Sequence, residues 1–288
     1  MEIDTIQWFP GHMVKARKMV QENLKLVDIV VELLDARIPL SSRNPDIDAI
    51  LEKKPRIVVL NKADLADVSQ TEQWSRWFHE RRGLQCIALD SQHGNGIGKL
   101  IGLGQELAVQ INNKLAAKGR KPRAVRMMMV GIPNVGKSSL INKLAGKGYT
   151  RTGDRPGLTR GKQWIRVGKG LELLDTPGIL WPKFEDPEVG FRLAATGAIK
   201  DEIINIEQVA MKLVNYLNAT EQDALKDRYK LGEVDADPYE ILRAIGARRG
   251  CLVSGGNVDI FKAAVIVLNE FRGGKLGRFT LDRIERDA

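Results

Sequence analysis

The sequence predicts an α/β domain built on a mostly parallel sheet, followed by a smaller all-α domain. Three observations carry that expectation. Apolar runs of strand length, Asp28 to Leu34, Arg56 to Leu60, Leu84 to Leu89 and Val125 to Val130, alternate with stretches of helical length, as in parallel strands joined by crossover helices. The last of these runs enters Gly131-Ile132-Pro133-Asn134-Val135-Gly136-Lys137-Ser138-Ser139, a glycine loop between a strand and a helix. From about Asp186 strand patterns stop and helical periodicity takes over. The expected division is therefore residues 1–183 and 184–288.

Met1 to Gln7 reads as an extended start. Pro10-Gly11 punctuates before a helical run from about His12 to Leu26, where Ala16, Met19, Val20 and Leu24 recur at helical spacing with Val27 just beyond. Asp28 to Leu34 is apolar, β-branched and too short for a typical helix, hence a buried strand, and it ends at Asp35-Ala36-Arg37-Ile38-Pro39. Arg56 to Leu60 is the next strand and runs into Asn61-Lys62-Ala63-Asp64. Asp67 to Arg82 reads as a helix carrying Trp74, Trp77 and Phe78 on one stripe, which assigns those aromatics to the core. Leu84 to Leu89 is a strand ending at Asp90-Ser91; a long helix spans Gly96 to Ala117, and Lys118 to Arg123 forms a basic connector. Beyond the glycine loop, Leu140 to Leu144 is amphipathic. Gly146 to Gly161 is a polar, glycine-rich loop with Arg151, Arg155 and Arg160 around Thr152 and Thr159. Gln163 to Val167 and Leu171 to Leu174 make a hairpin around Gly168-Lys169-Gly170. The helices of the second domain are Val189 to Ile199, Ile206 to Leu217, Glu221 to Tyr229, Tyr239 to Arg248 and Val258 to Phe271, separated at Asn205, Thr220, Asp237-Pro238 and Gly255-Gly256-Asn257. Its tail collects Arg272, Lys275, Arg278, Arg283 and Arg286 among glycines, a composition suited to phosphate contacts on folded RNA.

Composition narrows the class. In 288 residues, Lys and Arg outnumber Asp and Glu by 45 to 36, a formal +9 that favours a polyanionic partner because each neutralised phosphate releases a counterion. The two cysteines, Cys86 and Cys251, lie far apart with only three histidines in the chain, which points away from both a disulfide framework and a zinc site. No apolar run approaches the roughly 18 residues of a membrane span, and the first residues lack a signal-peptide pattern. The expectation is a cytoplasmic protein with no membrane and no DNA partner.

The glycine loop has the spacing G-x-x-x-x-G-K-S. Its backbone N–H groups can wrap a phosphate chain at a helix N-terminus, where the dipole favours anions. Lys137 would reach the β- and γ-phosphates and Ser138 would ligate Mg²⁺. Downstream, Leu171 to Leu174 ends in Asp175-Thr176-Pro177-Gly178, where Asp175 can hold Mg²⁺ through water and the Gly178 amide can meet a γ-phosphate. Upstream, Asp64 can accept two hydrogen bonds from the N1–H and exocyclic amine of guanine. Adenine offers no such pair, and a site built around those bonds discriminates by about 10⁴-fold.

In an ordinary GTPase the guanine-reading tetrapeptide follows the phosphate loop; here residues 61–64 precede 131–139. That order, continued by a Thr-containing loop and Asp175-Thr176-Pro177-Gly178, resembles the circularly permuted GTPases. Phe9-Pro10-Gly11-His12-Met13 and the segment Asn269 to Arg278 are similar to bacterial members that assist assembly of the large ribosomal subunit. The resemblance covers nearly the whole chain. It implies a circularly permuted Ras-like P-loop domain, GTP hydrolysis stimulated by the ribosomal subunit, and precursor particles and their rRNA as partners.

The GTP contacts it implies are Asn61, Lys62, Asp64, Asp90, Ser91, Asn134, Val135, Gly136, Lys137, Ser138, Ser139, Thr159 and Gly178. Asp90-Ser91 stands where the family makes a backbone contact to guanine O6, but departs from the commoner Ser-Ala-Lys form. The family packs the turn at Asp35 beside the nucleotide fold, while simple capping by Asp35 stays equally open. Thr159, in Pro156-Gly157-Leu158-Thr159, would join Ser138 and Asp175 on Mg²⁺ only while the γ-phosphate is present. Asn134 would help hold K⁺, which offsets developing charge as an arginine finger does. Ile179 stands where a water-orienting Gln often follows this motif, so the resemblance moves that task to His12. Two rivals remain: a GTP-gated RNA-binding module with little turnover, and a GTPase acting in tRNA modification.

Overall fold

A computed structural model of the chain describes residues 18–51, 54–146, 164–174, 186–233 and 237–284. Contacts divide these into two units: the described residues of Lys183–Leu281, and those of Phe9–Pro182 together with Asp282–Ala288.

The second of these is an α/β unit. A helix over residues 18–24 (α1) leads to β1 (Ile29–Asp35), buried along its whole length because both faces of the strand are covered. There follow α2 (Ile47–Leu51), β2 (Arg56–Asn61), α3 (Val68–Arg82), β3 (Gln85–Ala88), α4 (Ile97–Ala116), β4 (Val125–Val130), α5 (Lys137–Ala145), β5 (Trp164–Arg166) and β6 (Leu171–Leu174). The six strands are ordered β3-β2-β1-β4-β6-β5, all parallel except β5, which runs antiparallel to β6. From β1 the chain moves outward through β2 and β3, then returns to place β4 on the other side of β1. That reversal is a topological switch point, and the crevice beyond the C-terminal ends of β1 and β4 is where open α/β sheets bind ligands.

Side chains 30, 32 and 34 share one face of β1. Val30 packs with Val20, Leu24, Ile47, Met128 and Val130, while Leu34 packs with Val58, Leu60, Trp74 and Phe78. Between them Glu32 is buried and ion-paired to Arg43 and Arg56 at 3.1 and 3.0 Å, so a polar pair of contacts divides two apolar clusters. Each fully buried Val, Leu or Ile contributes about 1.5–3 kcal/mol, which is why the strands tolerate this one charged row. On the other face α4 approaches the sheet at Gly104, where a Cβ would stand 2.9 Å from Leu171 Cδ1 and 3.4 Å from Met127 Sδ. The basic connector is anchored as it reaches β4: the Arg123 guanidinium donates to both Asp28 oxygens at 2.8 and 2.7 Å, and Asp28 also accepts from the Arg126 amide.

The other unit is helical: α6 (Pro187–Ala195), a 3₁₀ turn (Asp201–Ile203), α7 (Ile206–Thr220), α8 (Gln222–Tyr229), α9 (Pro238–Arg248) and α10 (Ile260–Arg272). Asp186, Asn205, Asp237 and Asp259 cap four of these by accepting a backbone N–H from the first turn. Two expectations shift. The first helix ends at Ala195 instead of Ile199, because Gly197 turns left-handed at φ 78° and Arg272 takes the carbonyls of Ala194 and Ala195. Val258 is not helical: it bridges to Leu252, and α10 waits for its cap at Asp259.

Candidate functional site

The glycine loop leaves β4 and enters α5 with Asn134 at φ 56° and Gly136 at φ 101°. Both lie in the left-handed region, which lets the backbone curl over the helix N-terminus. A Cβ on Gly136 would collide with Asn61 Nδ2, so glycine is required by neighbours as well as by φ. Lys137 is buried, and its ammonium donates to Ile132 O at 2.7 Å and Gly131 O at 3.1 Å. Val135 is buried, while Asn134, Ser138 and Ser139 are exposed on the loop and first helical turn.

Residues 61–64 stand at the adjacent end of β2. Asn61 is fully buried; its Nδ2 donates to Val135 O at 2.7 Å and Ser91 Oγ at 3.0 Å, and its Oδ1 accepts from the Ser91 amide at 3.0 Å. One side chain thus joins three loops separated by 30 and 74 positions. Lys62, at φ 59°, pairs with Asp35 at 3.0 Å. Asp35 is buried and also pairs with Arg37 at 2.8 Å. Burial alone would raise the Asp35 carboxyl, but the Arg37 and Lys62 cations outweigh it and hold the group well below the usual carboxylate range. The Arg37 amide donates to Asp35 Oδ1 at 3.1 Å, so Asp35 both caps its turn and touches the segment 61–64. Its involvement with Lys62 was not legible from residue spacing, since it depends on the β1–β2 register that sets Asp35 beside Asn61.

The loop after β3 completes this end of the sheet. Asp90 and Ser91 are buried, and Asp90 Oδ1 accepts the amides of Gln92 and His93 at 2.9 and 3.0 Å. Burial would raise the Asp90 carboxyl; the His93 and Gln92 contacts lower it further than burial raises it. Asp64, Asp90 and His93 bring their oxygen or nitrogen atoms within 4.8 Å of one another. His93 escaped sequence reasoning because a histidine in a polar turn carries no periodic signal.

Lys137, Gly136, Val135, Asn61, Lys62, Asp64, Asp90 and Ser91 therefore gather at the C-terminal end of the parallel strands, with Asn134, Ser138 and Ser139 on the loop rim. His12, Thr159, Asp175, Gly178 and Ile179 lie outside the described residues. The basic tail differs from expectation. Arg272 pairs with Asp201 at 2.8 Å and donates to the Ala194 and Ala195 carbonyls, so it is a structural clamp of the helical unit. Leu276, Phe279 and Leu281 are buried, with Phe279 stacked on Phe271 at 5.9 Å, leaving Lys275 and Arg278 exposed.

Comparison with known proteins agrees with this geometry. The family model described as "50S ribosome-binding GTPase" matches residues 126–243, beginning in β4 and leaving residues 61–64 outside the match. The chain is 56% identical over 279 residues to Ribosome biogenesis GTPase A of Priestia megaterium, covering 96% of each protein. It is 35% identical over 301 residues to Mitochondrial ribosome-associated GTPase 1 of Bos taurus, covering 97% of this chain and 89% of that one. Among solved structures, GNP-bound YlqF from T. maritima is similar with a TM-score of 0.64 and 27% identity, over 93% of this chain and 98% of that chain.

Proposed function

The chain belongs to the ribosome biogenesis GTPase A family, and from that premise we propose that it is a GTP-hydrolysing assembly factor for the large ribosomal subunit. In this reading the GTP form binds the precursor particle and its rRNA in the cytoplasm, and hydrolysis releases it. The observation that carries the reading is Asn61, whose amide joins the segment 61–64 to the phosphate loop at Val135 and to Ser91 despite the inverted order of the motifs. A base held by Asp64 and phosphates held by the loop amides and Lys137 would then lie in one crevice. Asn61 serves as the strut between them.

Mg²⁺ fits the residue types present. The Ser138 hydroxyl is exposed in the first turn of α5 beside Lys137, with Thr159 and Asp175 as the other proposed ligands. When bound, the ion supplies neutralisation of the β- and γ-phosphate oxygens. Lys137 would exchange its two loop carbonyls for phosphate oxygens. Asn134 would contribute to a K⁺ site beside the phosphates, and His12 would orient the attacking water.

Steady-state GTP turnover of the full chain, alone and with large subunits, naked rRNA or tRNA, tests this. Large subunits should stimulate turnover where the RNAs do not, K⁺ should support it better than Na⁺, and His12→Ala should cut the stimulated rate by about 10²–10⁴-fold without weakening nucleotide binding. Tight subunit binding with no stimulated turnover would favour the GTP-gated module, and stimulation by tRNA would favour tRNA modification.

A further inference from the structure

The end of the α/β unit remote from the glycine loop carries cations that no carboxylate answers. β4 has the basic connector at its start and the glycine loop at its end, about 20 Å apart at strand rise. The α4 helix runs back to the connector's end, and the Val125 amide donates to Gly170 O at 2.9 Å, which seats the β5–β6 turn beside it. Lys114 in the last turn of α4, Lys118, Arg120 and Lys121 in the connector, and Lys169 in the β5–β6 turn are therefore carried on this end, all exposed. Two carboxylates here are already engaged: Asp28 accepts from the Arg123 guanidinium and the Arg126 amide, and Glu172 pairs with Arg126 at 3.3 Å. None of the five cations makes an ion pair with a described residue. Chain neighbours do not compensate them either, since no Asp or Glu occurs between Glu106 and Asp154.

The connector is also held in shape. Gly119 turns left-handed at φ 71°, and the amides of Lys118, Gly119 and Arg120 donate to the carbonyls of Leu115, Ala116 and Leu115 at 3.0, 2.9 and 3.0 Å. Asn112 clasps the other side: its Nδ2 donates to Arg123 O at 3.1 Å and its Oδ1 accepts the Arg123 amide at 3.0 Å. The cations are thus displayed from a loop whose ordering need not be supplied by a ligand. The α4 dipole gives Lys114 and Lys118 a structural reason to lie near the helix C-terminus, but it gives none to Arg120, Lys121 or Lys169 beyond it.

We propose that this face is an RNA-binding surface of the α/β unit, on which Lys114, Lys118, Arg120, Lys121 and Lys169 meet the phosphate backbone of a folded RNA, in addition to Lys275 and Arg278 of the tail. That the RNA is rRNA rests on the reading of the chain as a large-subunit assembly factor. The contact is to backbone and not to bases, because no Phe, Tyr or Trp occurs between Phe78 and Tyr149 to stack on one. Among the described residues of α4 and the connector, Val109 is the one exposed large hydrophobic. The face therefore lacks the apolar anchors of a protein interface and the apolar stripe of a helix lying on a membrane. Its charge complements phosphate, and each phosphate it neutralises releases a counterion.

The test measures dissociation constants of the full chain for large ribosomal subunits and for a plain RNA duplex, at salt concentrations from about 50 to 200 mM. Lys118→Gln/Arg120→Gln/Lys121→Gln should weaken binding to both by about tenfold or more and lower the slope of log affinity against log salt by about 2–3. GDP affinity, intrinsic GTP turnover and melting temperature should stay at wild-type values, since these side chains are exposed and the glycine loop lies at the other end of β4. Lys118→Arg/Lys121→Arg, which keeps the charge, should bind as the wild type does. An unchanged salt slope in the glutamine variant, or a parallel fall in GDP affinity or melting temperature, would overturn the proposal. So would wild-type binding to phosphatidylserine vesicles with none to the duplex, which would assign the face to a membrane. Subunit-stimulated turnover together with an unchanged slope sinks this surface alone. Duplex binding that the glutamine variant loses, with no wild-type binding to subunits, sustains the surface and sinks the ribosomal reading.

Discussion

Gly136 is the residue on which two constraints meet. Its φ of 101° is available to glycine at little cost, and its missing Cβ leaves the room that Asn61 Nδ2 and Ser91 Oγ occupy. In Gly136→Ala the new methyl would force Asn61 away from Val135 O, breaking the strut between the segment 61–64 and the glycine loop. Backbone strain of about 1–3 kcal/mol adds to the lost hydrogen bonds. The variant should unfold at least about 2 kcal/mol more easily in urea and lose nucleotide binding. Trimming the obstacle in Gly136→Ala/Asn61→Ala should restore part of the stability but not the binding. Additive stability losses in the double variant would mean that the two residues do not touch.

At the level of elements, α10 separates cations by use. Arg272 at its end is spent on the Ala194 and Ala195 carbonyls and on Asp201, and Glu270 two residues back gathers Arg228 and Arg249 at 2.7 and 3.1 Å. Arg272→Ala should therefore destabilise the helical unit by about 1–3 kcal/mol, seen as a lowered melting temperature, since it strips a charged donor from two buried carbonyls. Lys275→Ala/Arg278→Ala should behave oppositely: melting unchanged, but the salt dependence of subunit binding shallower, as expected when exposed cations meet phosphate. Equal effects from both sets would erase the distinction. The helical boundaries that moved did so for similar tertiary reasons, because a left-handed Gly197 and an Asp259 cap are set by what Arg272 and Cys251 O bind across the unit.

For the whole molecule, the chain's end returns to the α/β unit after the helical one. Asp282 is fully buried there and accepts from the Leu40 amide at 2.7 Å, the Ser41 amide at 2.8 Å and Ser41 Oγ at 2.6 Å, while Ile284 packs against the cluster of Trp74 and Phe78. Leu40 and Ser41 follow directly on the turn of Asp35 and Arg37, so Asp282 braces the strand end whose Asp35 holds Lys62. Asp282→Ala leaves the buried Ser41 amide and the half-buried Leu40 amide unsatisfied, at about 1–3 kcal/mol for a buried one. Urea unfolding should show a loss of about 2–5 kcal/mol, whereas Asp282→Asn, which keeps one acceptor, should lose less. A loss below about 0.5 kcal/mol in the alanine variant would show that water replaces the contact.

How much of this was legible beforehand follows from the range of each interaction. The strands, the glycine loop and the switch from α/β to all-helical are written in local periodicity, and each motif is a contiguous stretch whose chemistry survives permutation. Their inverted order could be read from position alone. The amide at Asn61 linking three loops, the clamp at Arg272 and the return of Asp282 could not. Each joins groups distant in sequence, and a hydrogen-bonding side chain has the same residue type whether it is spent within the protein or kept for a ligand. By itself the sequence determined the class of the fold and the chemistry of the nucleotide. Only the tertiary structure decided which polar groups are already satisfied, because that depends on sheet register and burial.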